Sequence, residues 1–106
     1  MTIETMIAAK FGTSIDPLAG VAAEDIDEAR RVVSLWTDAG RADLRALAKL
    51  VRDEACGTRT NLPAWKRAVL ARTLALRVLN STGRQREAAL VGLGAVDPEF
   101  DRRAMV

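Results

Sequence analysis

Four carboxylates within five residues, Glu24, Asp25, Asp27 and Glu28, and one thiol, Cys56, are the groups whose type and spacing could support chemistry. The carboxylates fall where a helix begins, and acids favour a helix N-terminus because the macrodipole is positive there. No loop geometry accompanies them that would hold a metal, and no apolar context is visible that would raise one pKa for acid catalysis. The 106-residue chain contains no His and no Tyr. Imidazole general-base catalysis, His-metal sites and Ser-His or Cys-His pairs are therefore excluded. A lone cysteine forms no internal disulfide and no Cys-rich zinc site, and without a base it reads as a small buried residue. Gly57-Thr-Arg-Thr-Asn-Leu-Pro63 lacks the spacing of a phosphate-binding loop. The expectation is a protein with no catalytic activity and no cofactor.

What the sequence offers instead is charge. Thirteen Arg and three Lys face fourteen acids, for a net +2. Residues 1–40 carry three basic and seven acidic residues, a net −4. Residues 41–96 carry eleven basic and four acidic residues, a net +7, and residues 97–106 carry a net −1. The halves either pack so that the charges mix on one surface, or give a protomer with an acidic and a basic face. The second arrangement suits a heterologous, ring-closing interface. Nucleic-acid contact by the basic half is a third reading.

The elements that carry these groups are helical. The chain is 49% apolar with few aromatics, namely Phe11, Trp36, Trp65 and Phe100, so its core is aliphatic. Thr2 can cap a short helix running to about Phe11, with Gly12 as its stop. Thr13–Gly20 reads as a loop. Ile26, Ala29, Val33 and Trp36 form an apolar stripe that continues in phase to Leu44, Leu47 and Val51. The region 23–56 reads as two helices meeting near Asp38-Ala39-Gly40, one continuous helix being the alternative. Gly57 stops the second segment, and Arg41, Arg45, Lys49 and Arg52 lie on its outer side.

Asn61 is a good N-cap and Pro63 suits a first turn, so a further helix begins here and runs to about Asn80. One face holds Trp65, Ala68, Val69, Ala75, Leu76 and Leu79; a second holds Leu70, Leu74 and Val78. Apolar on two sides, this helix is central, covered by the fold or by neighbouring copies. Arg72 lies within the first face, either snorkelling or stacked on Trp65, or paired with a carboxylate of another subunit. Gly92 and Gly94 would each cost a helix about 1 kcal/mol, so the last stretch reads as helical at most to Val91 and extended beyond. Phe100 in the tail reads either as part of a frayed end or as an anchor on a partner.

The expected fold is therefore all-α, a small bundle of four to five helices with an extended C-terminal segment. Residues 1–96 form the domain and 97–106 a docking tail. The start of the chain does not read as a signal peptide. Its longest uncharged apolar run, Ala88–Val96, is too short to span a bilayer. A protein used without export and without a membrane is expected.

From Leu50 onward, Val51-Arg52 precedes Gly57 and Pro63 opens a long Ala/Arg/Leu helix. That helix carries Arg77 and ends Asn80-Ser-Thr-Gly83, with Glu87 and Gly92 following. This arrangement resembles the head-to-tail adaptor, or connector and head-completion, proteins of long-tailed bacteriophages. Ser81 stands where that family usually has Pro, and the first 45 residues match only loosely. The resemblance implies a homo-oligomeric ring, usually a dodecamer, beneath the portal protein. A stopper or tail-completion protein would lie on its other side, and double-stranded DNA would pass through without sequence specificity. It implies a place in the virion neck after assembly in the host cytoplasm. The C-terminal segment would then contact the portal through Phe100, Arg102, Arg103, Met105 and Val106. Arg45, Lys49, Arg52, Arg72, Arg84 and Arg86 are the candidates for subunit interface or channel lining, where basic groups act on phosphate without reading bases.

Two other classes remain. One is a small helix-turn-helix-like DNA-binding regulator using Arg59, Lys66 and Arg67, although its connector is longer than the usual tight turn. The other is a phage- or plasmid-encoded inhibitor that blocks a host protein by surface contact.

Overall fold

Five helices are present in the computed structural model, which describes residues 2–11, 20–39, 43–56 and 62–97. They are α1 (Ile3–Phe11), α2 (Ala23–Ala39), α3 (Leu44–Cys56), α4 (Ala64–Leu79) and α5 (Gly83–Val96). No strand occurs among the described residues, and the protein is an all-α bundle.

Local chemistry sets the helix starts. Thr2 Oγ1 accepts the Thr5 N–H at 3.2 Å, so α1 is capped as its sequence predicts. Asp43 Oδ1 accepts the N–H groups of Arg45 at 2.9 Å and Ala46 at 3.3 Å, which starts α3 afresh. The region 23–56 is thus two helices; the unbroken apolar phase reflects that both helices face one core. Asn61 and Gly57 lie outside the described residues. Pro63 sits immediately before α4, not inside its first turn. Gly83 opens α5 at φ +61°, a conformation that favours glycine over any L side chain.

The core is aliphatic apart from Trp36. Ile7, Val33, Leu47, Val51, Leu74, Val78 and Leu93 are its largest fully buried side chains. Helix α4 supplies Val69, Leu70, Ala71, Leu74, Ala75 and Val78, and α5 packs along it and against α3.

The expected extended stretch after Val91 is corrected by the structure: α5 continues through both glycines to Val96. A Cβ placed on Gly92 would stand 3.1 Å from Leu74 Cδ2. The glycine therefore lets α4 and α5 approach closely, and their close packing outweighs the lost helix propensity. Gly92, Leu93, Gly94, Ala95 and Val96 are all buried. Helix propensity is a property of an isolated segment and takes no account of the partner helix.

Two ion pairs clasp α1 onto α5: Glu4 with Arg86, and Lys10 with Asp97. The Glu4 carboxyl is held below the ordinary value of 4.5, first by its own backbone N–H at the helix start and then by the Arg86 guanidinium. A carboxyl whose folded pKa is depressed stabilises above its unfolded pKa, and that contribution is lost as pH falls through the folded value. Glu4→Gln should therefore lower the unfolding midpoint near neutral pH. Parent and variant should converge as pH falls below the ordinary carboxyl value of 4.5 and through the depressed folded value. Urea unfolding across that range checks this; a difference independent of pH would show that the Glu4 charge contributes nothing.

Candidate interaction surface

Two grooves lie on the described surface, and the one of about 580 Å³, lined by Arg30, Ser34, Thr73, Arg77 and Asn80, runs between α2 and the second half of α4. The apolar groove lies between α2 and the first half of α4, has a volume of about 370 Å³, and is bordered by Glu54 of α3. Its apolar floor includes Val32, Trp36, Leu62, Trp65 and Val69; Asp25, Glu28, Glu54 and Lys66 are its charged residues. Trp36 is only 2% exposed and donates its Nε1–H to Glu54 Oε2 at 2.6 Å, which ties α2 to α3. Trp65 is 50% exposed, and Lys66 Nζ lies 5.6 Å from its ring centroid. This is cation–π range, so the cation over Trp65 is Lys66; Arg72 is exposed.

The expected first face of α4 separates in the structure. Val69 and Ala75 are buried, whereas Trp65, Ala68 and Leu79 are exposed and Leu76 is half-buried. The side carrying Leu70, Leu74 and Val78 is buried, Ala68, Arg72 and Leu79 are exposed, and Trp65 borders the groove toward α2. With Leu35 at 63% and Leu79 at 41% exposure, the chain leaves large apolar side chains uncovered on both α2 and α4.

Glu24, Asp27 and Glu28 are exposed at the start of α2, and Arg45, Lys49 and Arg52 are exposed on one face of α3. Both signs of charge are exposed on both helices, since α2 also exposes Arg30 and Arg31 and α3 also exposes Asp53 and Glu54. Arg84 pairs with Glu87 at 3.3 Å, and Arg86 is engaged by Glu4. These two arginines therefore serve contacts within the chain. Arg77 Nη2 donates to Ser34 Oγ at 3.1 Å and links α4 to α2. Phe100, Arg102, Arg103, Met105 and Val106 lie outside the described residues, as do Arg41 and Arg59. Arg67 of the would-be recognition helix is half-buried, and its Nε has no hydrogen-bond partner among the described residues. Six buried positions on α4 make that helix a core element, which counts against its lying in a DNA groove.

Neither the Trp36–Glu54 bond nor the α1–α5 clasp follows from the sequence alone. A buried indole N–H needs an acceptor, and that is the available signal for the first. The second joins residues 82 positions apart, beyond any local pattern.

Among the described residues, no group of three or more Cys, Asp or Glu is placed to hold a metal ion. No helix among the described residues is long and apolar enough to cross a membrane. No protein family, curated protein or solved structure matches this sequence.

Proposed function

We propose that this protein is a structural assembly part, a head-to-tail adaptor that forms a ring beneath a phage portal and lets DNA pass. The observation that carries the reading is the placement of an acidic cluster and a basic cluster on different elements of one protomer. Acids cluster at the start of α2, and Arg45, Lys49 and Arg52 line the outside of α3. Repeated copies with such faces attract head to tail, and a rotation that closes gives a ring. The uncovered Leu35, Trp65 and Leu79 support it, because apolar surface of this kind is covered when subunits meet. The chain's similarity in pattern to phage adaptors from Leu50 onward supports the same reading. In it, the ring is a homo-oligomer, probed most simply as a dodecamer, with a portal on one side and a stopper or tail-completion protein on the other. Its location is the neck of the virion.

Light scattering with and without a portal protein tests this. A large ring, or a monomer that assembles only on the portal, is the expected result. Arg45→Glu with Lys49→Glu should weaken assembly on the order of tenfold or more, as should raising salt, because both reduce attraction between exposed faces. Assembly indifferent to both changes would make the charge separation incidental. A monomer or dimer with tight, salt-sensitive duplex binding would replace the adaptor reading with a DNA-binding regulator. One-to-one copurification with a host protein would replace it with an inhibitor.

A further inference from the structure

The apolar groove between α2 and α4 combines aromatic surface with negative charge that the chain leaves unbalanced. We infer that it binds a small hydrophobic cation, an organic ammonium carried on one aromatic group. The inference holds whether or not the protein is an adaptor.

Size and surface set the class of ligand. A volume of about 370 Å³ lies within the range of small-molecule sites, roughly 300–1,000 Å³. It takes one ring with a short side arm. Val32 from α2 and Val69 from α4 supply aliphatic surface for the ring. The half-exposed Trp65 adds an aromatic one, against which a second ring stacks or packs edge to face.

Charge sets the sign. Asp25, Glu28 and Glu54 border this space and Lys66 is the one cation among its described lining residues. Among the described residues neither Asp25 nor Glu28 forms an ion pair. Lys66 lies over the Trp65 ring and pairs with none of the three carboxylates. Asp25 stands in the first turn of α2, where the positive end of the helix dipole offsets its charge. Glu28 lies beyond that turn. Glu54 lies in the last turn of α3, where the dipole is negative and adds to the attraction for a cation. The Trp36 N–H donates to Glu54 Oε2, which fixes this carboxylate at the rim and leaves Oε1 to meet a ligand. An ammonium held between Glu28 and Glu54, with its ring beside Trp65, satisfies both parts of the groove. In that position it takes over the role that Lys66 fills in the empty groove, a cation near the indole face.

Phenethylammonium is the probe, with phenethyl alcohol and phenylacetate as its neutral and anionic counterparts. Each is titrated into the isotope-labelled full chain, and the Trp65 indole N–H shift is followed by nuclear magnetic resonance. The ammonium should bind saturably with a Kd of about 1 mM or below. It should bind about tenfold or more tighter than phenylacetate. Trp65→Ala should abolish binding, and Asp25→Asn with Glu28→Gln should reduce the ammonium to the affinity of the alcohol. Lys66→Gln should tighten the ammonium about threefold, because the competing cation is gone. That gain cannot come from a misfolded variant. Equal affinity for the ammonium and the alcohol, or no saturable shift, overturns the inference. Ammonium binding that weakens as protein concentration rises overturns it in favour of a second copy in the groove.

Discussion

Leu74→Ala should lower the unfolding free energy by about 3 kcal/mol, within the 2–5 kcal/mol typical of buried Leu truncations. Leu74 is fully buried, and its methyl groups are what Gly92 was small enough to admit. Truncation removes the transfer energy of the lost methyls and leaves a cavity that two close-packed helices collapse onto only in part. Against a total stability of about 5–15 kcal/mol, that loss lowers the melting temperature by roughly 10 °C or more. Gly92→Leu attacks the same contact from the other side and should cost about 1–3 kcal/mol or more, since its side chain has no room beside Leu74. Gly92→Ala is the informative intermediate. Its methyl gains about 1 kcal/mol of helix propensity but meets Leu74 Cδ2 at 3.1 Å. Combining Gly92→Ala with Leu74→Ala should recover about 1 kcal/mol relative to the sum of the single changes, because the new methyl enters the vacated space. Urea unfolding with an unchanged m-value measures all four variants. Strict additivity, or a Leu74→Ala cost under about 1 kcal/mol, would mean that α4 and α5 do not meet at this point.

Trp36→Ala should cost about 3–5 kcal/mol, the other large effect expected in this molecule. Trp36 is the largest side chain in the core and the one aromatic among the buried residues described. It also carries a polar atom, and Nε1–H finds Glu54 across the α2–α3 interface. Trp36→Phe keeps most of the ring volume and loses that bond, so about 1–2 kcal/mol is expected. Glu54→Ala should cost about 1 kcal/mol, because the bond lies at the edge of the core and water can replace the carboxylate. Once Trp36 is Phe, Glu54→Ala should cost little more, and that lack of additivity is the signature of the direct pair. Chemical denaturation of the two single variants and the double variant gives the coupling. Equal effects of Glu54→Ala in both backgrounds would show that the bond contributes nothing to stability.

The parts of the molecule differ in how far the sequence discloses them. The helices are legible because apolar residues recur at helical spacing: Ala29, Val33 and Trp36 on α2, then Leu47 and Val51 on α3, are all buried. Gly40 favours a break between those helices, but Asp43 supplies the start of α3, and its two backbone bonds appear only in the folded chain. Helix α4 is apolar on two sides by residue type, yet only one side is covered. Residue type says which side chains prefer burial and not which will find a neighbour. Trp65 and Leu79 prefer burial and stay exposed in the folded chain. The apolar groove leaves no local trace in the sequence. Its carboxylates belong to two helices, and the acids of α2 have a sufficient local explanation in the helix dipole.

The amino-acid sequence by itself determined what this protein lacks and how its charge is divided. Side-chain chemistry and sequence position are enough for that: no His, no Tyr, one Cys, and a net −4 ahead of a net +7. It also determined the all-α class, because helical periodicity is a local property. Only the tertiary structure decided that α5 runs through its glycines, since the stabilisation from close approach to Leu74 exists only when α4 is beside it. Only the tertiary structure decided that Asp25, Glu28, Glu54 and Trp65 share a groove. Those residues are brought together by packing between helices, which acts across distances in the chain that no local pattern encodes.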